Sequence, residues 1–121
     1  MDLFEARGVH YLLMVDRFSG YPWYAQLRSL STSAITTIID DWFYEFGRPS
    51  VVRTDGGPQF RQEFVDHCVS LGIKVERSSP YRPQPNGLAE AAVKSVKRLI
   101  LKHAGSMGRI REAFAAWRAM P

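Results

Sequence analysis

Three acidic residues and two lysines occupy positions in this sequence from which they could do chemistry. Asp55 follows a β-branched run and precedes a Gly-Gly-Pro turn, so its carboxylate is expected at the exposed carboxyl end of a strand, where α/β sheets carry their chemistry. Asp2 stands at the head of the predicted first strand. Glu90, Lys94 and Lys97 follow one another at i, i+4 and i+7 on a predicted helix and therefore share one face.

Each of these residues also has an ordinary structural interpretation. An Asp-Gly pair is common in turns, which is enough to account for Asp55. The helix dipole favours a carboxylate near a helix start, which accounts for Glu90. Glu90 and Lys94 can also form a weak helix-surface pair. Taken singly, none of them identifies a function.

The positive charge is concentrated in the last quarter of the chain. The overall net charge is +4, yet residues 94–121 carry +6 and residues 1–93 carry −2. The basic residues of the carboxyl-terminal part are Lys94, Lys97, Arg98, Lys102, Arg109, Arg111 and Arg118, and its one acidic residue is Glu112. This distribution indicates either a solvated helical face or a surface that follows the phosphates of nucleic acid.

The elements that must position these residues alternate between strand and helix patterns. Strands are predicted within residues 1–8 and over 10–15, 23–30, 50–54 and 73–77. Helices are predicted from Ser31 or Ser33 to 46 and over 62–71, 88–103 and 110–119. The order β-β-β-α-β-α-β-α-α implies a mixed sheet flanked by helices, with three antiparallel strands followed by two strands joined by helical crossovers.

Length and composition limit the class of protein. With 121 residues, 45% of them hydrophobic, the chain can bury one modest core, which predicts a single domain over 1–121. We expect no membrane association, because the apolar runs are short and the start of the chain lacks the pattern of a signal peptide. Cys68 is the only cysteine, which excludes an intrachain disulfide and a cysteine-rich zinc site. A soluble intracellular protein is therefore expected.

The succession of motifs resembles the catalytic core of retroviral and gypsy-type retrotransposon integrases, members of the ribonuclease H-like superfamily. The resemblance runs in order through "MDLFEARGVHYLLMVDRFSGYPW", "FGRPSVVRTDGGPQF", "LGIKVERSSPYRPQPNGLAEAAVKSVKRLI" and "AWRAMP". It implies a ribonuclease H-like α/β fold with a mixed five-stranded sheet. The family's amino-terminal zinc-binding and carboxyl-terminal DNA-binding modules have no counterpart in these 121 residues, so the sequence is interpreted as an excised core domain, truncated at both ends.

The resemblance also implies a reaction and a metal cofactor. Asp2, Asp55 and Glu90 match the family's DDE triad, which binds divalent metal. Two Mg²⁺ or Mn²⁺ ions would support phosphoryl transfer, with water trimming a DNA 3′ end and the resulting 3′-hydroxyl joining target DNA. Hard cations of this kind prefer oxygen ligands, so three carboxylates suffice.

DNA is the partner that the resemblance implies. The segment "PYRPQPNG" matches the family's flexible active-site loop, whose Tyr81, Gln84 and Asn86 would face the DNA end. Lys94 and Lys97 match DNA-contacting positions of the following helix. A homodimer and a nuclear location during integration are also implied, with no small-molecule cofactor.

Two other functions remain compatible with the sequence. The first is a domesticated, catalytically inactive module derived from an integrase, which binds DNA or a protein. The second is a ribonuclease H-type nuclease, which shares the metal chemistry but lacks a loop such as "PYRPQPNGLAE".

Overall fold

The computed structural model describes residues 1–17, 19–55, 57–77 and 87–119. Its first three strands are β1 (Asp2–Ala6), β2 (Val9–Val15) and β3 (Pro22–Leu27), and they form an antiparallel sheet in the order β1-β2-β3. Arg7 and Gly8 join β1 to β2, both with positive φ (50° and 77°), as expected for a two-residue hairpin turn whose twist matches that of the strands. The register pairs Asp2 with Leu13.

The second half of the sheet structure is a parallel pair, β4 (Val51–Thr54) and β5 (Lys74–Arg77). The helix α2 (Gln62–Ser70) forms the crossover between them and follows a short 3₁₀ turn, Pro58–Phe60. A helical connection is the usual way to join neighbouring parallel strands, because a tight hairpin turn joins only antiparallel strands.

Three further helices complete the fold. The helix α1 (Thr32–Phe46) is capped by Ser31, whose hydroxyl accepts a hydrogen bond from the Ala34 N–H at 3.2 Å. The helices α3 (Gly87–Lys102) and α4 (Met107–Ala119) follow at the carboxyl end. Within the described ranges, no helix has the length and apolar character needed to cross a membrane.

The core has two parts, one on each side of the antiparallel sheet. Successive residues of β2 point to opposite faces, so Leu12 packs with α1 and α2 while Tyr11 and Leu13 pack with α3 and α4. The α1/α2 side contains Leu12, Leu27, Ile35, Ile39, Phe43, Val52, Phe60, Phe64, Cys68 and Ile73. The α3/α4 side contains Ala6, Tyr11, Leu13, Val96, Ile100, Ala104, Ile110 and Phe114. A β2 strand buried on both faces explains its unbroken apolar run.

The predicted fold class and element order are confirmed, with one difference in the sheet. The five strands form two sheets, and β1 is linked to β4 by a backbone hydrogen bond from the Met1 amine to the Arg53 carbonyl. The reason is the register, because Met1 lies beside the third of the four β4 residues and only the start of β1 overlaps the end of β4.

Two element boundaries also differ from the prediction. The strand β3 ends at Leu27, not at residue 30, because its pairing with β2 ends where Leu27 meets His10, one residue from the start of β2. The helix α4 begins at Met107, three residues early, because Ser106 caps it. The Ser106 hydroxyl accepts from the Arg109 N–H at 3.3 Å, and its carbonyl accepts from the Ile110 N–H at 3.1 Å.

Candidate active site

The fold brings Asp2 and Asp55 to the same place from two different strands. Asp2 is the first residue of β1, and Asp55 directly follows β4. The hydrogen bond from the Met1 amine to Arg53 holds the two strand ends together. Both carboxylates also act electrostatically on that amine. Two acids separated by more than fifty residues in sequence therefore meet at one edge of the sheet structure.

The pKa of the Met1 amine reflects the charges and the burial in the region around Asp2 and Asp55, which we call the corner. Burial lowers its pKa from 8.0 to about 6, while the carboxylates of Asp2 and Asp55 act in the opposite direction. Desolvation is the larger effect. The negative charges of Asp2 and Asp55 thus lie near a partly buried amine.

The turn that follows β4 fixes the Asp55 side chain. The Gly57 N–H donates a hydrogen bond to Asp55 Oδ1 at 2.8 Å. A Cβ atom on Gly57 would lie 2.9 Å from the same oxygen, which is closer than real Cβ contacts occur. The sequence analysis did not identify Gly57 as a residue that holds the Asp55 side chain, although the Asp-Gly-Gly sequence carried the signal.

Lys97 reaches Asp2 from the helix α3. Its Nζ forms an ion pair with Asp2 Oδ2, the two side chains being 34% and 28% exposed. The same Nζ lies 5.7 Å from the centroid of the Phe4 ring, within range of a cation–π contact. Val96 and Ile100 are fully buried on the same helix, so the α3 backbone beneath Lys97 is anchored in the core.

The remaining predicted site residues divide into two groups. Lys94 is exposed and lines the same cleft as Asp2, Asp55 and Lys97. Glu90 lies in α3, one turn before Lys94, but its side chain is outside the described part of the structure. The predicted DNA-facing loop residues Tyr81, Gln84 and Asn86 also fall outside the described residues.

The cleft that contains these groups is open and large, about 1360 Å³. Its lining also includes Val15, Asp16, Ser50 and Val51.

The donor set fits a hard divalent cation. Asp2 and Asp55 present carboxylate oxygens to one cleft, and oxygen is the ligand atom that Mg²⁺ and Mn²⁺ prefer. Among the described side chains, no three or more His, Cys, Asp and Glu residues form a group that could hold a metal. The third predicted carboxylate, that of Glu90, is not among those side chains. The described residues therefore provide two of the three predicted ligands.

Comparison with known proteins gives the same relationship by sequence and by structure. The family described as "Integrase core domain" matches residues 1–83. The Pro-Pol polyprotein of simian foamy virus type 3 (strain LK3) is 33% identical over 95 residues, which cover 78% of this chain and 8% of that polyprotein. The chain thus spans a small part of the relatives it matches.

Two solved structures share the fold. The catalytic core domain of BIV integrase superposes with a TM-score of 0.81 at 19% identity, covering 100% of this chain and 82% of that one. A chain of the simian T-cell lymphotropic virus intasome in complex with PP2A regulatory subunit B56 gamma gives a TM-score of 0.76 at 25% identity, covering 99% of this chain and 46% of that one.

These findings confirm the resemblance drawn from the sequence motifs and the ribonuclease H-like fold that it implied. The family match extends over more than half of the chain and includes both Asp2 and Asp55. The protein therefore belongs to the integrase core domain family.

Proposed function

We propose that this protein is a polynucleotidyl transferase core that trims DNA 3′ ends and joins them to target DNA. The observation that carries the proposal is the meeting of Asp2 and Asp55, from two strands, in one open cleft that Lys94 and Lys97 also line. Membership of the integrase core domain family supports the same class of reaction.

Three carboxylates are assigned to the metal. Asp2, Asp55 and Glu90 would hold two Mg²⁺ or Mn²⁺ ions. When bound, such ions activate the attacking oxygen and stabilise the leaving oxygen of an in-line displacement at phosphorus. The Gly57 N–H keeps Asp55 Oδ1 oriented, which leaves the other carboxylate oxygen for the cleft.

The basic and loop residues are assigned to the DNA. Lys94 and Lys97 carry positive charge into the cleft and would bind phosphates of the DNA backbone. Tyr81, Gln84 and Asn86 would face the DNA end. Water would be the nucleophile for trimming, and the new 3′-hydroxyl would be the nucleophile for joining.

The proposal extends to assembly and location. The similarity to a chain of a viral intasome supports a complex with DNA ends and target DNA. We also propose a homodimer formed through helical faces and a nuclear location during integration. A single core domain over residues 1–121 stays a prediction.

A disintegration assay tests this function. The protein is incubated with a branched DNA substrate, the product of strand transfer, in Mg²⁺ or Mn²⁺. Metal-dependent resealing of the substrate is expected for the unchanged protein. Asp55→Asn and Glu90→Gln should both abolish it, because each removes a negatively charged metal ligand.

A matched control separates loss of chemistry from loss of fold. Asp41→Asn makes the same substitution on the exposed surface of α1, outside the cleft, and should leave resealing unchanged. Resealing that survives Asp55→Asn would contradict the assignment. DNA binding without resealing or metal binding would favour the catalytically inactive DNA-binding module.

A further inference from the structure

The ion pair between Lys97 and Asp2 joins a residue assigned to DNA with a residue assigned to metal. Lys97 Nζ contacts Asp2 Oδ2, the oxygen of a carboxylate that a divalent cation would need. The Lys97 ammonium group is therefore a cation in contact with a carboxylate that is proposed to bind a metal cation. The same ammonium is therefore not on a DNA phosphate while the pair lasts.

The surroundings of the ion pair allow the Lys97 side chain to take two positions. The α3 backbone is fixed, because the neighbouring Val96 is fully buried in the core. The Lys97 side chain itself is 34% exposed and borders the open cleft. Its four-carbon stem has rotatable bonds, so the ammonium can leave Asp2 without a movement of the helix.

The local charges stabilise the contact between the Lys97 ammonium and Asp2 when no other cation is present. Asp2 and Asp55 place two negative charges in one corner, and like charges held together are unfavourable unless they are neutralised. Lys97 supplies positive charge at Asp2.

We propose that Lys97 is an internal counter-ion of the carboxylate site, which exchanges Asp2 for a DNA phosphate when a divalent cation binds. This inference rests on the proposed function, because it assumes that Asp2 and Asp55 bind metal. Lys97 is thus a residue that couples metal binding to DNA binding.

Reciprocity follows from this arrangement. If metal binding makes Lys97 available for DNA, then DNA binding removes a competitor from Asp2 and strengthens metal binding by the same factor. The pair is partly exposed and therefore weak. We expect the coupling from this residue to be about two- to five-fold, the factor that corresponds to an exposed ion pair.

The first test measures Mn²⁺ binding without DNA, by titration calorimetry or electron paramagnetic resonance. Lys97→Met removes the charge, and with it the cation–π contact with Phe4, but keeps an unbranched side chain of similar length. It should tighten Mn²⁺ binding about two- to five-fold. Lys94→Met is the matched control, since it removes the same charge from the same helix and cleft and measures the general effect of lost positive charge.

The second test measures the salt dependence of DNA binding, by fluorescence anisotropy with a duplex that ends in a dideoxynucleotide. Wild type, Lys97→Met and Lys94→Met are each measured without Mg²⁺ and at one fixed Mg²⁺ concentration. Because one phosphate contact changes the slope of log K against log salt by about 0.9, the wild-type slope should steepen with Mg²⁺ by that amount more than the variant slope does.

The outcomes distinguish failure of the proposed metal site from failure of the counter-ion inference. If Asp55→Asn binds Mn²⁺ as well as wild type does, the proposed metal site fails and the counter-ion inference fails with it. If wild type binds Mn²⁺ through Asp55 but Lys97→Met behaves as Lys94→Met in both tests, only the counter-ion inference is overturned. Circular dichroism of each variant confirms that the fold is retained.

Discussion

Asp55 is held by the backbone of its own turn. The Gly57 N–H donates to its Oδ1 at 2.8 Å, and Gly57 has φ −63°, a value open to any residue. The requirement for glycine is therefore steric, since a Cβ atom would lie 2.9 Å from the Asp55 oxygen. The glycine allows the carboxylate to approach the backbone closely.

Gly57→Ala should displace the Asp55 carboxylate and weaken divalent metal binding about ten-fold, the lower range for loss of a contact that orients a metal ligand. Stability should change little, because the backbone angle suits alanine. Mn²⁺ titration and thermal unfolding check both parts.

Gly108→Ala is the matched control for this substitution. It lies within α4, where the nearest atom to a new Cβ is 4.0 Å away, and alanine is a better helix former than glycine. Metal affinity should be unchanged in this variant. Equal metal affinity in Gly57→Ala and wild type would contradict the orienting function of Gly57.

Residue types and local order were enough to select Asp2, Asp55 and Lys97 from the sequence, through the motif resemblance. The ion pair between Lys97 and Asp2 was not predictable in this way. It depends on how α3 packs on the antiparallel sheet, which is a tertiary relationship set by the burial of Val96 and Ile100.

At the scale of elements, the junction of β1 and β4 determines the site. Met1, the residue before β1, lies beside Arg53 of β4; Asp2 is the next residue after Met1, and Asp55 is the second residue after Arg53. The junction also places the Met1 amine in a partly buried position. The geometry of the site and the ionisation of the chain start are thus coupled.

The stability of the chain with a free amine at Met1 should rise between pH 6 and pH 8. The pKa of this amine is about 6 in the folded state and 8.0 in its ordinary state, so the unfolded chain binds more protons in this interval. The gain should be at most about 2 kcal/mol. Chemical denaturation at a series of pH values measures it.

Amino-terminal acetylation provides the comparison. The acetylated amide retains an N–H for the Arg53 carbonyl but has no charge to titrate, so the rise over this interval should be smaller than in the free-amine chain. An identical pH dependence in both forms would show that the amine is not buried as described.

Periodicity predicted the order of the elements but not the joining of the sheets. The apolar run of β2 and the helical spacing of α1 are local signals. The division into two sheets arises from the offset between β1 and β4, for which no local pattern exists. The early start of α4 had a local signal, the Ser106 cap, that the apolar pattern did not reveal.

At the scale of the whole molecule, charge and exposed apolar surface bear on the proposed DNA and dimer partners. The net charge of +6 over residues 94–121 lies in the part of the chain that contains α3 and α4. On α1, the Tyr44 side chain is 94% exposed. Tyrosine is enriched in the centres of protein interfaces, which favours this face of α1 for a homodimer.

Tyr44→Glu should shift the proposed dimer towards monomer, because it places a charge in the interface. Analytical ultracentrifugation over a range of concentrations measures the change, and we expect a weakening of at least ten-fold. Val69→Glu, on the exposed surface of α2, is the control for adding the same charge to an apolar surface position. An unchanged dimer in Tyr44→Glu would exclude this face of α1.

The central claim is that Asp2 and Asp55 form a divalent metal site on an integrase core. Anomalous diffraction from crystals grown with Mn²⁺ tests it most directly. We predict a manganese peak in the cleft, about 2.1 Å from a carboxylate oxygen of each residue, with Lys97 Nζ moved away from Asp2. A well-ordered map at saturating Mn²⁺ with no peak at these carboxylates, and with Lys97 still on Asp2, would contradict the account.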